Sequence, residues 1–292
     1  MATAMPRPRV EMIPAQGQAL WGWPAVINFA LGGLGAGWYL VAVLAAELER
    51  APGVTAASWA APVLVLAGFA AVAAEAGRPL RGPRVLTRLR TSWMSRELLL
   101  GIAFVLLVAA DLAFPLRLHR AQAMVAAALL ALAQGFILRR ARGVTAWDVP
   151  LMPLLFLLSA LLSGAGAYLL VEGVAGRPPR PAVVGAVLML IVAAFVGWTR
   201  YLAWAPEDAY RRAVAPLREG HAVLVIDGAG YGLPLLLGLL ALAAPAVAGP
   251  LTGLAGALLV AGQVYAKARL VLTAGRLRPI TLAIALPKRR SS

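Results

Sequence analysis

His221, Asp227 and Tyr231 stand together at the start of a long apolar segment, and Asp227 and Tyr231 are four residues apart. Side chains at i and i+4 share a helix face. A carboxylate, a phenol and a nearby imidazole at one membrane interface form a set able to transfer protons. Ionisable groups inside apolar segments are costly and mark functional positions by default, which adds Glu75 and Asp111 as proton-transfer candidates. Each has a plainer alternative. Glu75 is three residues from Arg78 and can form an interfacial ion pair. Asp111, upstream of Arg117, can face a neighbouring helix instead of a water-filled path.

A second group of residues points to ligand contact. The first apolar segment opens with Trp21, Gly22, Trp23 and Pro24, holds the amide Asn28, and then runs through Gly32, Gly33, Gly35 and Gly37. A plain anchor needs only leucines. An amide at membrane depth bonds to a neighbouring helix or to a ligand, and glycines beside it let a backbone or a flat ring approach closely. The tryptophans suit the interfacial rim. Thr91, Ser92, Trp93, Met94, Ser95, Arg96 and Glu97 read as a helix start, with Ser92 as N-cap, Ser95 and Glu97 in the first turn, and Trp93 in the aromatic belt. That reading leaves Arg96 and Glu97 running straight into three leucines, so an Arg–Glu pair inside the bundle mouth is expected. Asp148, beside Trp147, is expected to cap the fifth segment. Glu172 and Arg200 fall at segment ends and read as interfacial.

Several chemistries are excluded. The chain has no cysteine, so it ligates no iron–sulfur cluster or zinc–thiolate site by thiolate. Its two histidines, His119 and His221, fall at opposite membrane faces and cannot jointly hold a haem. The chain is therefore expected to carry no redox centre of its own. Arg7 and Arg9 precede no apolar core with a small-residue cleavage site, so no cleaved signal peptide is expected.

These residues must be positioned by membrane-spanning elements. The chain is 61% hydrophobic and 13% charged, whereas soluble domains are about half apolar and a quarter charged. Eight apolar segments are long enough to span a bilayer, at about 22–47, 57–77, 93–115, 121–139, 147–171, 182–203, 222–244 and 250–275. The expected fold is all-α, a polytopic membrane helix bundle of eight transmembrane helices forming a single integral membrane domain over residues 1–292. No repeat of solenoid length is visible. The net charge is +15 from 27 Lys and Arg. These residues cluster between apolar segments, so they read as topology signals and headgroup contacts and imply no nucleic-acid partner. Alternating the spans places 19 of them on the side of the two termini and 5 on the other. The positive-inside rule then puts both termini in the cytoplasm.

Three stretches in order resemble the polysulfide reductase membrane-subunit superfamily (the NrfD/PsrC type) and, within it, the dimethyl sulfoxide reductase anchor (DmsC) branch. They are Trp21 to Trp23 with Asn28 and the glycine run; Thr91 to Glu97, close to the Ser-Trp-x-Ser-Arg-Glu look of DmsC-like anchors; and Ala146 to Ser159, with Trp147, Asp148, Pro150, Pro153 and Phe156, similar to a Trp-Asn…Pro-x-x-Phe stretch. Eight spans also match. The resemblance implies a membrane anchor, not catalytic for substrate on its own, in a respiratory oxidoreductase of bacterial or archaeal cell membranes. Such anchors hold a molybdopterin catalytic subunit and a four-cluster iron–sulfur subunit, bind a quinone such as menaquinone, and pass protons.

In that family the quinone pocket uses polar residues early in the first span. Asn28 matches a place where polysulfide reductase-like members have a histidine. A tyrosine on the fourth span is replaced here by Gln134, between Ala133 and Gly135, as an alternative donor. The implied quinone site is Asn28, Gly32, Gly33, Trp23, Trp93, Arg96, Glu97 and Gln134. Proton transfer is assigned to Glu75, Asp111, His221, Asp227 and Tyr231. The family's pocket lies near the side where the first span begins. With the charge distribution, this predicts docking of the iron–sulfur partner from the cytoplasm. A secondary transporter and a proton-translocating form of the same anchor are the alternatives. A transporter would show inverted repeats and paired broken helices, and no segment pairs convincingly with the glycine-interrupted first span.

Overall fold

The computed structural model describes residues 9–49, 55–75 and 88–283. Each of the eight apolar segments is a helix there, with ends displaced by a few residues: α1 (Trp23–Glu49), α2 (Thr55–Glu75), α3 (Trp93–Ala113), α4 (Arg117–Arg140), α5 (Met152–Val174) and α6 (Pro181–Leu202). A short helix, α7 (Asp208–Arg218), precedes α8 (His221–Ala243) and α9 (Ala248–Leu272). Seven of these helices are long and apolar enough to cross a membrane; α3, which carries Arg96, Glu97 and Asp111, stands outside that set. The outward faces are apolar, with Val63, Leu106, Met189 and Leu236 all at least half exposed. In water that surface would be unfavourable; against lipid tails it costs nothing. The chain is a multi-pass helical membrane protein.

α1 is the central helix and packs on α2, α4, α5, α6 and α9. Lipid gives helices no hydrophobic drive to associate, so close approach through small residues does that work. A side chain at Gly37 would collide with the Ala160 carbonyl of α5, and one at Gly164 would collide with the Gly37 backbone. The two helices thus touch backbone to backbone. Gly35 makes the same allowance for α2, where an added Cβ would lie 2.6 Å from the Ala61 carbonyl oxygen.

The first and last described strands meet at the face where α1 begins, called here the terminal face. Strand β1 (Arg9–Ile13) pairs antiparallel with β2 (Ile280–Ala283), with Arg9 opposite Ala283. Beside this ribbon lies α7, which is amphipathic: Tyr210, Ala213, Val214 and Leu217 are buried, while Arg211 and Arg212 are exposed and pair with Asp208 and Glu11. Burial pushes the Tyr210 phenol above its ordinary pKa, so it stays protonated and donates to the Tyr201 carbonyl. The sequence reading gave no element to this stretch, because an 11-residue charged helix has no spanning signal.

One local expectation is corrected. Pro150 and Pro153 delay the start of α5 to Met152, so Asp148 caps nothing and instead pairs with Arg278 at 3.1 Å. Its neighbour Trp147 is buried and donates to the Leu270 carbonyl at 3.0 Å. Within α8, residues Leu224–Gly232 are π-helical, and the Leu233 N–H bonds to the Gly228 carbonyl five residues back. Pro234 has no N–H to give the Gly230 carbonyl, and Gly228, Gly230 and Gly232 tolerate the wider turn. Such segments concentrate at functional sites.

Candidate functional site

Three helices bring a carboxylate and two amides together one to two turns inside the terminal face. Glu97 of α3 is buried, and its Oε1 accepts from Asn28 Nδ2 of α1 at 2.9 Å and from Gln134 Nε2 of α4 at 3.1 Å. The Gln134 amide also donates to the Asn28 carbonyl at 3.3 Å. Two donors on one carboxylate oxygen compensate its removal from water, each worth about 1.5–3 kcal/mol when the acceptor is charged. Asn28 Oδ1 is buried and has no hydrogen-bond partner among the described residues. Gly32 and Gly33 make room for the cluster. A side chain at Gly32 would strike the Gln134 amide, and one at Gly33 would sit 2.8 Å from Lys267 Nζ and 3.5 Å from Gln134 Oε1.

Ser92 caps α3 as expected, accepting from the Ser95 N–H at 3.3 Å. Glu97 lies beyond the first turn and points inward. The expected Arg96–Glu97 pair is not formed, because consecutive helix residues project in different directions. Arg96 instead donates to the Leu89 and Arg90 carbonyls, each at 2.9 Å, and lies 4.4 Å over the Trp93 ring. Trp93 stacks on Phe136 of α4 at 4.1 Å. Arg96 and Trp93 therefore fix the entrance to α3 beside the cluster. Trp23 is exposed at the rim, whereas Trp21 packs on Phe29 and Trp147. Glu75 ends α2 exposed, with its Oε1 near Gly22; Arg78 lies outside the described residues.

A second polar group lies on the other side of Gly33. Lys267 of α9 is buried, with Nζ 5.9 Å over the Phe156 ring. It lines a cavity of about 40 Å³ together with Ser159, Trp198, Tyr231 and Gln263. Trp198 donates to Asp227 Oδ1 at 3.0 Å. The predicted His221, Asp227 and Tyr231 set is thus divided: Asp227 is held by Trp198, Tyr231 borders the cavity, and His221 is exposed at the start of α8.

A family model described as polysulphide reductase, NrfD, matches residues 12–279. The chain belongs to the NrfD family. Members are membrane subunits of polysulfide reductase-like oxidoreductase complexes, which typically include iron–sulfur and molybdopterin subunits. No curated protein matches the chain. Among the described residues of this NrfD chain, no three His, Asp or Glu side chains gather into a metal-binding group.

At the far face of the NrfD bundle, Asp111 of α3 accepts from Arg120 Nε of α4 at 3.2 Å. Tyr39 OH and Asp111 Oδ1 are buried without partners among the described residues. Asp111 shares the buried stripe of α3 with Glu97, but Gly101, Phe104 and Val108 lie between them. Tyr39 packs edge-on against Phe104 at 5.4 Å. An apolar layer thus separates the two carboxylates along α3. The sequence reading does not single out Lys267, Gln263, Ser159 or Tyr39, which the structure places at the cavity or buried without partners among the described residues. Lys267 carries a signal of its own, being a lysine inside a span.

Proposed function

We propose that this chain is the quinone- or quinol-binding subunit of a molybdopterin and iron–sulfur oxidoreductase, exchanging electrons between a partner iron–sulfur subunit and the membrane quinone pool. The observation that carries the reading is the Asn28–Glu97–Gln134 cluster, with a buried acceptor, Asn28 Oδ1, left without a partner among the described residues. The donor set fits a quinone or quinol: a free amide oxygen to accept from a hydroxyl, amide N–H groups, a carboxylate to hold a proton, and glycines that leave one face of α1 without side chains. Bound there, the ring would supply the two-electron, two-proton chemistry. Asn28 and Gln134 orient, Glu97 holds or releases a proton at Oε1, and Arg96 with Trp93 keeps α3 in register.

In this reading the whole chain is one membrane domain with eight spans. α3 crosses despite its charged residues, since Glu97 is hydrogen-bonded by amides and Asp111 is paired. The Ser92-Trp93 and Arg96-Glu97 stretch supports a DmsC-like branch. The basic residues of the terminal face support a cytoplasmic position for it in a bacterial or archaeal cell, with the four-cluster iron–sulfur subunit docking there.

The test is Asn28→Leu in the intact complex. Quinone-linked turnover falls about 10- to 100-fold, the equivalent of one hydrogen bond to a charged or reacting group, while turnover with a soluble dye is unchanged. Equal loss of both activities would make Asn28 a structural residue and remove the reading.

A further inference from the structure

Lys267 has no role in the site described above, yet its position is unusual. It is a buried cation at membrane depth with no carboxylate within ion-pair distance among the described residues. An unpaired buried ammonium is costly, and the aromatic face of Phe156 at 5.9 Å offsets only part of that. The side chain reaches two places. Its Nζ lies against the bare face of α1 at Gly33, the same face that Gln134 Oε1 approaches. It also lines the cavity between α5, α6, α8 and α9, where Gln263 Nε2 and Ser159 Oγ are buried polar atoms without partners among the described residues. A volume of about 40 Å³ holds about three waters at roughly 10–15 Å³ each. Two unpartnered polar atoms and an ammonium supply the hydrogen bonds such waters need.

We propose that Lys267 is a proton-relay residue joining the Asn28–Glu97–Gln134 cluster to a hydrated cavity whose outer end is Asp227. The proposal rests on the quinone reading of that cluster. When a quinone at the cluster is reduced, an N–H bond of the Lys267 ammonium breaks as its proton passes, on the Gly33 side, to a reduced ring oxygen, where an O–H bond forms; the neutral amine then takes a proton from cavity water, and the hydroxide left behind is neutralised by a proton entering by way of Asp227. The lysine ends each cycle as it began. The aqueous phase at the terminal face replenishes the water by way of Asp227, which Trp198, on the cavity wall, holds at 3.0 Å. In the oxidising direction the same steps run in reverse. This route is lateral. It leaves Asp111 outside the path, because Gly101, Phe104 and Val108 intervene.

The experiment uses the intact complex in membranes, with Lys267→Met, Lys267→Arg and Gln263→Leu. Methionine keeps the length and apolar stem without the proton. Arginine keeps the charge but does not deprotonate in proteins. Lys267→Met and Lys267→Arg both lower quinone-linked kcat by about 100-fold, the low end for a lost general acid–base group. They leave the quinol KM and dye-linked turnover unchanged, and the solvent deuterium isotope effect rises. Recovery by arginine would show that only the charge matters and overturn the relay, as would an unchanged kcat in Lys267→Met. A second readout needs no turnover and does not depend on Lys267 variants assembling. Hydroxyl-radical footprinting labels Tyr231 and Trp198 from water in the cavity, and Gln263→Leu removes that labelling. Absence of labelling in the unmodified complex would show a dry cavity and end the proposal. Absence of quinone-linked turnover in the unmodified complex would instead remove the quinone reading and the relay with it.

Discussion

Arg120 shows what a single side chain does at the far face. It is the cation for Asp111, whose carboxylate is buried while Arg120 itself is about one-third exposed. Arg120→Met leaves that carboxylate without its partner and lowers stability by about 3 kcal/mol, the lower end for breaking a buried pair. The measurement is the thermal midpoint of the solubilised subunit. Adding Asp111→Asn to the same chain restores most of the loss, because the uncompensated charge is gone. A double variant as unstable as the single one would mean that the arginine acts through packing. Asn28 and Glu97 were legible as polar residues in apolar runs, but their partnership was not. They stand 69 residues apart, and Gln134 is 106 residues from Asn28. No local pattern joins three segments so far apart; only the packing of both α1 and α3 on α4 does. Lys267 was harder still, because a lone lysine in a span looks the same whether it reaches toward an interface or inward.

Helices and their contacts divide the glycine run of α1 into two functions that the sequence presented as one. Gly35 and Gly37 admit neighbouring backbones, while Gly32 and Gly33 admit polar side chains. The spacing signalled close approach, but which neighbour approaches depends on how α1 rotates among the helices around it. Gly164→Ala places a methyl group into the Gly37 backbone and pushes α5 from α1. It costs roughly 1–3 kcal/mol, as overpacking does, and loosens the Asn28 site as well. Gly185→Ala, on α6 where nothing lies within 4 Å of the added carbon, is the control. It is neutral or stabilising by up to about 1 kcal/mol through helix propensity. Chemical denaturation of both variants in detergent separates them, and equal losses would refute the close α1–α5 contact. The seven helices long and apolar enough to span were legible, because 20-residue apolar runs are strong signals. α7 and the π-helical turn were not, since one is short and charged and the other differs from an α-helix only in its hydrogen-bond register.

For the molecule as a whole, the charge distribution and the path of the helices make one claim about sidedness. The β1–β2 pairing places both described ends at one face. A C-terminal fluorescent-protein fusion is therefore fluorescent in cells, and a C-terminal alkaline phosphatase fusion is inactive. An active phosphatase would invert the orientation. The same pairing also governs the order of events during synthesis. α1 is the first of these helices to leave the ribosome, but its glycine face is completed by Gln134 and later by Lys267, and β1 waits for β2. The amide–carboxylate cluster is assembled once α4 is in place. The approach of Lys267 to Gly33 and the closure of the terminal face come only with the last helix and the strand after it, so a chain interrupted before α9 holds the cluster with one side of α1 uncovered.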